Sequence, residues 1–214
     1  METRKFNVID GGKSELSRLS SSNIDNGIYS VKIYSDGACK GNPGVGGFGT
    51  IVIINADQFW IDRVSSPQNN PYNTKITDEN TVEITISAGY KKTTNNRMEL
   101  MGVITGFRAL NHFGISGVKV NVISDSQYVC KPFTERWIYT WIKNNWTNSS
   151  GDVKNKDLWI TLLDLASNFI PYFTWVKGHS VTEYNNKCDM LAVNACQNSN
   201  LKEDDEYERS VQEN

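Results

Sequence analysis

The stretch Tyr34-Ser-Asp-Gly-Ala-Cys-Lys-Gly-Asn-Pro-Gly-Val-Gly-Gly-Phe-Gly49 limits the folds open to this chain more than any other. Ile28 to Tyr34 before it alternates apolar and polar residues, so it reads as a strand of about 28–36 that delivers Asp36 at its end. Glycine and proline then crowd residues 37–49, so the backbone turns sharply and side-chain bulk is withheld. A second apolar run from Phe48 to Ile54 leads away, giving a strand of about 46–55. A carboxylate beside bare backbone suits a site that must approach something large and charged. An ordinary hairpin with an acidic turn residue gives the same pattern, so the question passes to whether Asp36 has partners elsewhere.

Residues 1–27 are rich in Ser, Asn and Gly and read as a flexible leader. Asp57 to Val82 interrupts the strand series with little periodicity, and reads as a loop or irregular hairpin extension. Glu83 to about Lys92 resumes as a third strand. Thr93-Thr-Asn-Asn96 offers helix-capping residues before Arg97–Leu110, whose Leu100, Val103, Ile104, Phe107 and Leu110 share a helical face. Glu99 sits in the first turn, off that stripe. Val118–Ile123 reads as a buried strand running into Ser124-Asp125-Ser126. Helices follow over about 126–131, 133–145 and 155–168, then a strand at Tyr172–Val176, the turn Lys177-Gly-His-Ser180, and a final helix over about 182–197 that presents Asp189. The order β-β-β-α-β-α-β-α predicts a mixed sheet with helices packed on it.

At 38% hydrophobic and 21% charged over 214 residues, the chain has material for one ordinary domain with appendages. No apolar run reaches membrane-spanning length, and no hydrophobic segment follows Met1–Lys5, so neither a membrane span nor a signal peptide is expected. The four cysteines form no CxxC pair, and with two histidines a zinc site is disfavoured; a reduced intracellular setting follows, cytoplasmic in the first instance with nuclear or virus-associated ones open. The net charge of −2 is unevenly spread. Residues 197–214 carry −4 and residues 57–83 carry −3, which leaves +5 on the rest. A mildly basic body with two acidic appendages fits a nucleic-acid partner.

Asp36, Glu99, Asp125 and Asp189 each lie at or near the end of a regular element. Brought together, they would be a cluster of hard oxygen donors whose repulsion divalent cations relieve, with water and substrate phosphate completing a Mg²⁺ shell. Two such ions about 4 Å apart could activate water and stabilise the leaving oxygen of a phosphodiester. Surface acids scattered over a globular domain are the other reading of the same four residues.

Six ordered motifs decide between them: Ser35–Gly49, Ser87-Ala-Gly-Tyr90, Thr93-Thr-Asn-Asn-Arg-Met-Glu-Leu-Met101, Ser124-Asp-Ser-Gln-Tyr-Val129, Trp175-Val-Lys-Gly-His179 and Cys188-Asp-Met-Leu-Ala192. Over about 29–197 the chain resembles type 1 ribonuclease H, the bacterial-like ribonuclease HI. The resemblance implies an α/β fold of ribonuclease H type: a five-stranded mixed sheet, three antiparallel then parallel strands, flanked by helices. It divides the chain into a leader at 1–27, a catalytic domain at 28–197 with an insert at about 57–83 and a handle at about 133–157, and an acidic tail at 198–214.

The implied activity is hydrolysis of the RNA strand of an RNA–DNA hybrid to 5′-phosphate and 3′-hydroxyl ends, by a monomer with no membrane association. Its implied cofactors are two Mg²⁺ ions, for which Mn²⁺ substitutes. Asp36 and Asp125 would hold metal, with Glu99 sharing one ion and Asp189 the other, and His179 would assist proton transfer or product release. The RNA strand, told from DNA by its 2′-hydroxyls, would meet Asn95, Gln127, the backbone near Cys39, and Asn42. Asn95 also suits a helix cap. Lys92, Thr94 and Asn155 correspond to a pocket for a DNA phosphate. Trp137 and Trp141, four apart on one helix, match an aromatic rail along deoxyribose, although that spacing also suits core packing.

The handle departs from the family pattern. Lys143, Lys154 and Lys156 stand where well-known bacterial relatives carry a dense basic cluster. Modest hybrid affinity is expected, with a salt slope of no more than about five ion contacts. The insert reads as a tolerated surface loop, with a docking hairpin as the alternative, and the tail reads as solvated. Two rival functions stay open: a non-catalytic hybrid-binding module, against which four intact carboxylates speak, and a DNA-directed nuclease or strand-transfer enzyme, against which Asn95, Gln127 and the handle speak.

Overall fold

The computed structural model describes residues 27–68, 70–178 and 183–212. The expected leader lies outside them except for Gly27, and so does His179. Strands β1 (Ile28–Gly41) and β2 (Gly44–Ala56) form a long antiparallel hairpin in which Asp36 faces Gly49. Helix α1 (Gln58–Ser65) and strand β3 (Asn73–Asp78) follow, then strand β4 (Thr81–Thr93) and helix α2 (Asn95–His112). Strand β5 (Lys119–Ser124) leads to helices α3 (Gln127–Thr134) and α4 (Trp137–Lys143). Two short strands, β6 (Thr147–Asn148) and β7 (Gly151–Asp152), close a small hairpin before helix α5 (Lys156–Ala166). Strand β8 (Ile170–Trp175) and helices α6 (Glu183–Ala195) and α7 (Asp205–Gln212) complete the chain.

The main sheet runs β3-β4-β2-β1-β5-β8. β3, β4, β2 and β1 are antiparallel neighbours, while β1–β5 and β5–β8 pair in parallel. The mixed α/β architecture is the one expected, with six strands instead of five. Alternation along the strands assigns the two faces. Ile33 and Val52 enter the larger core, built with α2, α3 and α5, whereas Tyr34 and Ile51 enter a smaller cluster with Cys188 of α6. Among the described residues no helix is long and apolar enough to cross a membrane.

The sixth strand comes from the insert, which is not a loop. Asp57 caps α1 by accepting from the Trp60 N–H, and Ile61 and Val64 pack into the main core. β3 adds an edge strand along β4. Its sequence, Asn-Thr-Lys-Ile-Thr-Asp, is solvent-facing, with Ile76 50% exposed, so no buried alternation announced it.

The acidic tail is likewise not simply solvated. Lys202 bridges to Tyr90, and Asp204 is 3% exposed. It accepts from Arg97 Nε (2.7 Å) and Nη2 (2.8 Å) and from Thr93 Oγ1 (2.6 Å). Arg97 also donates to Asp157 from Nη1 and Nη2 at 3.0 and 2.7 Å, and to Asn155 Oδ1 at 3.4 Å. All five guanidinium N–H groups therefore have acceptors. Burial works to lower the proton affinity of Arg97, but the bonds to Asp157 and Asp204 outweigh it and raise it, so the group stays charged.

Candidate active site

Each of the four acids is delivered by a different element. Asp36 lies on β1, Glu99 in the first turn of α2, Asp125 just past the end of β5, and Asp189 on α6. Two glycines of the hairpin let the helices come close enough. A Cβ at Gly37 would stand 2.6 Å from the Glu99 nitrogen, and one at Gly49 would stand 2.2 Å from the Cys188 carbonyl oxygen. Those are the backbones that carry Glu99 and Asp189. The glycine-rich stretch thus serves helix approach from both faces of the sheet, and bare backbone is not its only use.

The acids act on one another. Burial, then the charges of Asp125 and Asp189, push Asp36 up to about 7, against a partial offset from the Gly37 N–H that donates to its Oδ1 at 2.7 Å. Burial, then Asp36 and Asp125, hold Glu99 well above the usual carboxylate range, although Asn95 Nδ2 donates to its Oε1 at 3.2 Å. Glu99 Oε2 is buried with no hydrogen-bond partner. A buried carboxylate oxygen without a donor is costly, and a cation is the natural group to satisfy it.

Among the described residues no three His, Cys, Asp or Glu side chains form a ready-made cage for a metal ion. Mg²⁺ does not require one, because it is usually held by one or two carboxylates with water and substrate oxygens. The all-oxygen donor set and the orphaned Glu99 oxygen fit a hard divalent cation.

The remaining site residues divide. Asn42 Oδ1 accepts from the Asn95 N–H at 3.0 Å, so the hairpin turn caps α2 from outside. Thr94 occupies the N-cap position without a side-chain capping bond, and Asn95 is the first helical residue; the expected local cap is replaced by a long-range one. Cys39 Sγ lies within reach of the carbonyls of Gly41 (2.7 Å) and Thr93 (3.5 Å), to either of which its one S–H can donate. Gln127 is exposed at the start of α3, and Lys92 is exposed at the end of β4. Asn155 is the left-handed N-cap of α5, φ 58°, and donates from Nδ2 to the Tyr128 hydroxyl at 2.9 Å.

The two tryptophans of α4 differ in exposure. Trp137 is 42% exposed, whereas Trp141 turns its ring edge against the buried Trp159, centroids 5.5 Å apart. Trp137, Trp141, Thr140, Asn144 and the Thr147–Ser149 turn line a cavity of about 360 Å³.

Two residues that hold Asp125 escaped sequence reasoning. Asn185 is 2% exposed and donates from Nδ2 to Asp125 Oδ2 at 3.2 Å, while its own Oδ1 has no partner. It lies four residues before Asp189, one turn away on the same face of α6, and that spacing was the available signal. Trp175 Nε1 donates to the Asp125 carbonyl at 2.9 Å and holds the same acid from the β8 side.

The comparisons with known proteins agree with this architecture. The family model for RNase H matches residues 29–197. A ribonuclease H of Lachnoclostridium phytofermentans is 42% identical over 180 residues, covering 83% of this chain and 99% of that protein. One from Rippkaea orientalis is 39% identical over 179 residues, covering 83% and 92%. Among solved structures, LC9-RNase H1, described as a type 1 RNase H with the type 2 active-site motif, superposes with a TM-score of 0.59 at 29% identity, covering 78% of this chain and 72% of that one. The fold and the carboxylate-lined end of its sheet define a nuclease of the ribonuclease H class. The chain belongs to the ribonuclease H family.

Proposed function

We propose that this enzyme cuts the RNA strand of RNA–DNA hybrids with the help of two divalent cations, leaving 5′-phosphate and 3′-hydroxyl ends. The observation that carries the reading is a buried Glu99 oxygen without a partner, in a group on which the charges of Asp36 and Asp125 act, while Asp125 and Asp189 act on Asp36. Asp36 and Asp125 would hold metal, with Glu99 sharing one ion and Asp189 the other. When bound, Mg²⁺ or Mn²⁺ supplies charge stabilisation at the phosphate and lowers the pKa of water.

The protein's own residues then have separate tasks. Asn185 and Trp175 orient Asp125. Asn95, fixed between Asn42 and Glu99, faces the ribose 2′-hydroxyls together with Gln127 and the backbone near Cys39. Lys92, Thr94 and Asn155 grip a DNA phosphate, and exposed Trp137 stacks on deoxyribose while Trp141 anchors the handle to Trp159. His179 moves a proton or assists product release. The protein works as a monomer in the cytoplasm on this reading.

Labelled hybrid, RNA duplex and DNA duplex, each with Mg²⁺ or EDTA, test the reading directly. Cutting of the RNA strand of the hybrid alone, abolished by EDTA, is the expected result. Equal cutting of DNA duplex would overturn it, and metal-dependent binding without cleavage would make the chain a hybrid-binding module.

A further inference from the structure

The family match stops at residue 197, yet the chain continues to a buried charge at Asp204. That carboxylate holds two elements that are far apart in sequence. It accepts from Thr93 at the end of β4, and through Arg97 it reaches Asn155 and Asp157 at the start of α5. Beside it Glu203 pairs with Lys91. Lys91 and Thr93 therefore face the C-terminal segment, and strand alternation turns Lys92 to the opposite side. Thr94 next in line spends no side-chain bond on capping α2.

Asn155 needs support, because it is a non-glycine residue at φ 58°. Its amide is gripped at both ends. Oδ1 accepts from Arg97, and one Nδ2 hydrogen goes to the Tyr128 hydroxyl. That orientation turns the acceptor inward and leaves one N–H to donate to an anion.

We propose that Asp204 is a positioning residue for the grip on the DNA strand: by fixing Arg97 and Thr93 it aligns Asn155, Lys92 and Thr94 on a single phosphate. The proposal rests on the reading of those three residues as a phosphate pocket. It makes the C-terminal segment part of hybrid recognition without any direct contact to nucleic acid.

The test uses the full chain, steady-state cleavage of a hybrid, and a series of hybrids carrying one neutral methylphosphonate at successive DNA positions. Asp204→Asn is expected to raise KM about fivefold with kcat within about twofold, because a charge-assisted bond becomes a neutral one. It should also flatten the penalty that one methylphosphonate position imposes on the wild type. Thr93→Val keeps shape and the ion pair, so it folds even where Asp204→Asn does not, and should raise KM about threefold. Asn155→Ala separates the two ideas. If Asn155→Ala raises KM while Thr93→Val and a folded Asp204→Asn keep the wild-type KM and methylphosphonate profile, the positioning role is overturned and the pocket stands. If Asn155→Ala also leaves both unchanged, the pocket reading falls and takes the proposal with it.

Discussion

Two buried charges sit two residues apart on α2 and could hardly be treated more differently. Arg97, 3% exposed, has an acceptor for every N–H it carries. Glu99, 6% exposed, has one oxygen with no partner and two like charges acting on it. The helix turns by about 200° between them, so one side chain looks back to α5 and the C-terminal segment while the other looks to the sheet end. The first is a finished structural joint. The second is costly as it stands, and a protein keeps such a group where a ligand will complete it. On the proposed function, the contrast separates charge that builds the fold from charge that does chemistry.

Neutralising either side breaks the contrast in a different readout. Asp36→Asn or Asp125→Asn should lower kcat by at least about 10³-fold, while leaving hybrid binding measurable and thermal stability unchanged or raised, since a repulsive charge is removed; substantial residual turnover in a gel assay would refute the metal assignment. Arg97→Met should do the reverse. It leaves Asp204 buried without its partner and should cost about 3–5 kcal/mol in urea unfolding, so a loss below about 1 kcal/mol would show that the triad is not a structural joint.

Metal and pH sharpen the Glu99 side. Asp36 keeps its proton up to about 7 in the folded protein against 3.8 ordinarily, so the folded state binds that proton more tightly than the unfolded state. In EDTA this contribution is fully present below about pH 4 and is lost as pH rises through about 7. Mg²⁺ favours the ionised acids, so its thermal shift should be larger at pH 8 than at pH 5; equal shifts would argue against binding at these acids.

The tryptophans of the handle offer a smaller version of the same contrast. Trp141→Ala should cost about 2 kcal/mol of stability through lost packing on Trp159, whereas Trp137→Ala should leave the melt near wild type and weaken hybrid binding. Smallest of all, Glu203→Gln removes an exposed pair with Lys91, and should leave the urea midpoint within error of wild type. A loss rivalling that of Arg97→Met would erase the distinction between surface and buried pairs.

How far these features were legible varies with how local their cause is. Asp125 could be read at a strand end, since β5 stops at Ser124, but Asp36 could not: β1 runs on through it to Gly41, because the glycines after it extend the hairpin ladder with β2 instead of ending the strand. Glu99 and Asp189 were legible as acids in their helices, but their meeting with Asp36 depends on Gly37 and Gly49, whose missing side chains matter only once α2 and α6 lie against the hairpin. Insert helix α1 was missed because Ile61 and Val64 are a thin apolar signal in eight residues, and β3 because an exposed edge strand shows no buried period. Asn42 as the cap of α2 lies 53 residues from its partner, beyond any local pattern.

By itself the sequence determined the mixed α/β class and most of its main elements, because strand alternation and helix periodicity are properties of neighbouring residues, and its ordered motifs singled out four acids as site candidates. Only the tertiary structure decided which charges are satisfied. Asp204 sits in an acidic run that reads as solvated, and becomes buried because Arg97, more than a hundred residues earlier, needs acceptors for a guanidinium that burial has cut off from water. Solvation is a property of place in the fold, and no stretch of neighbouring residues states it.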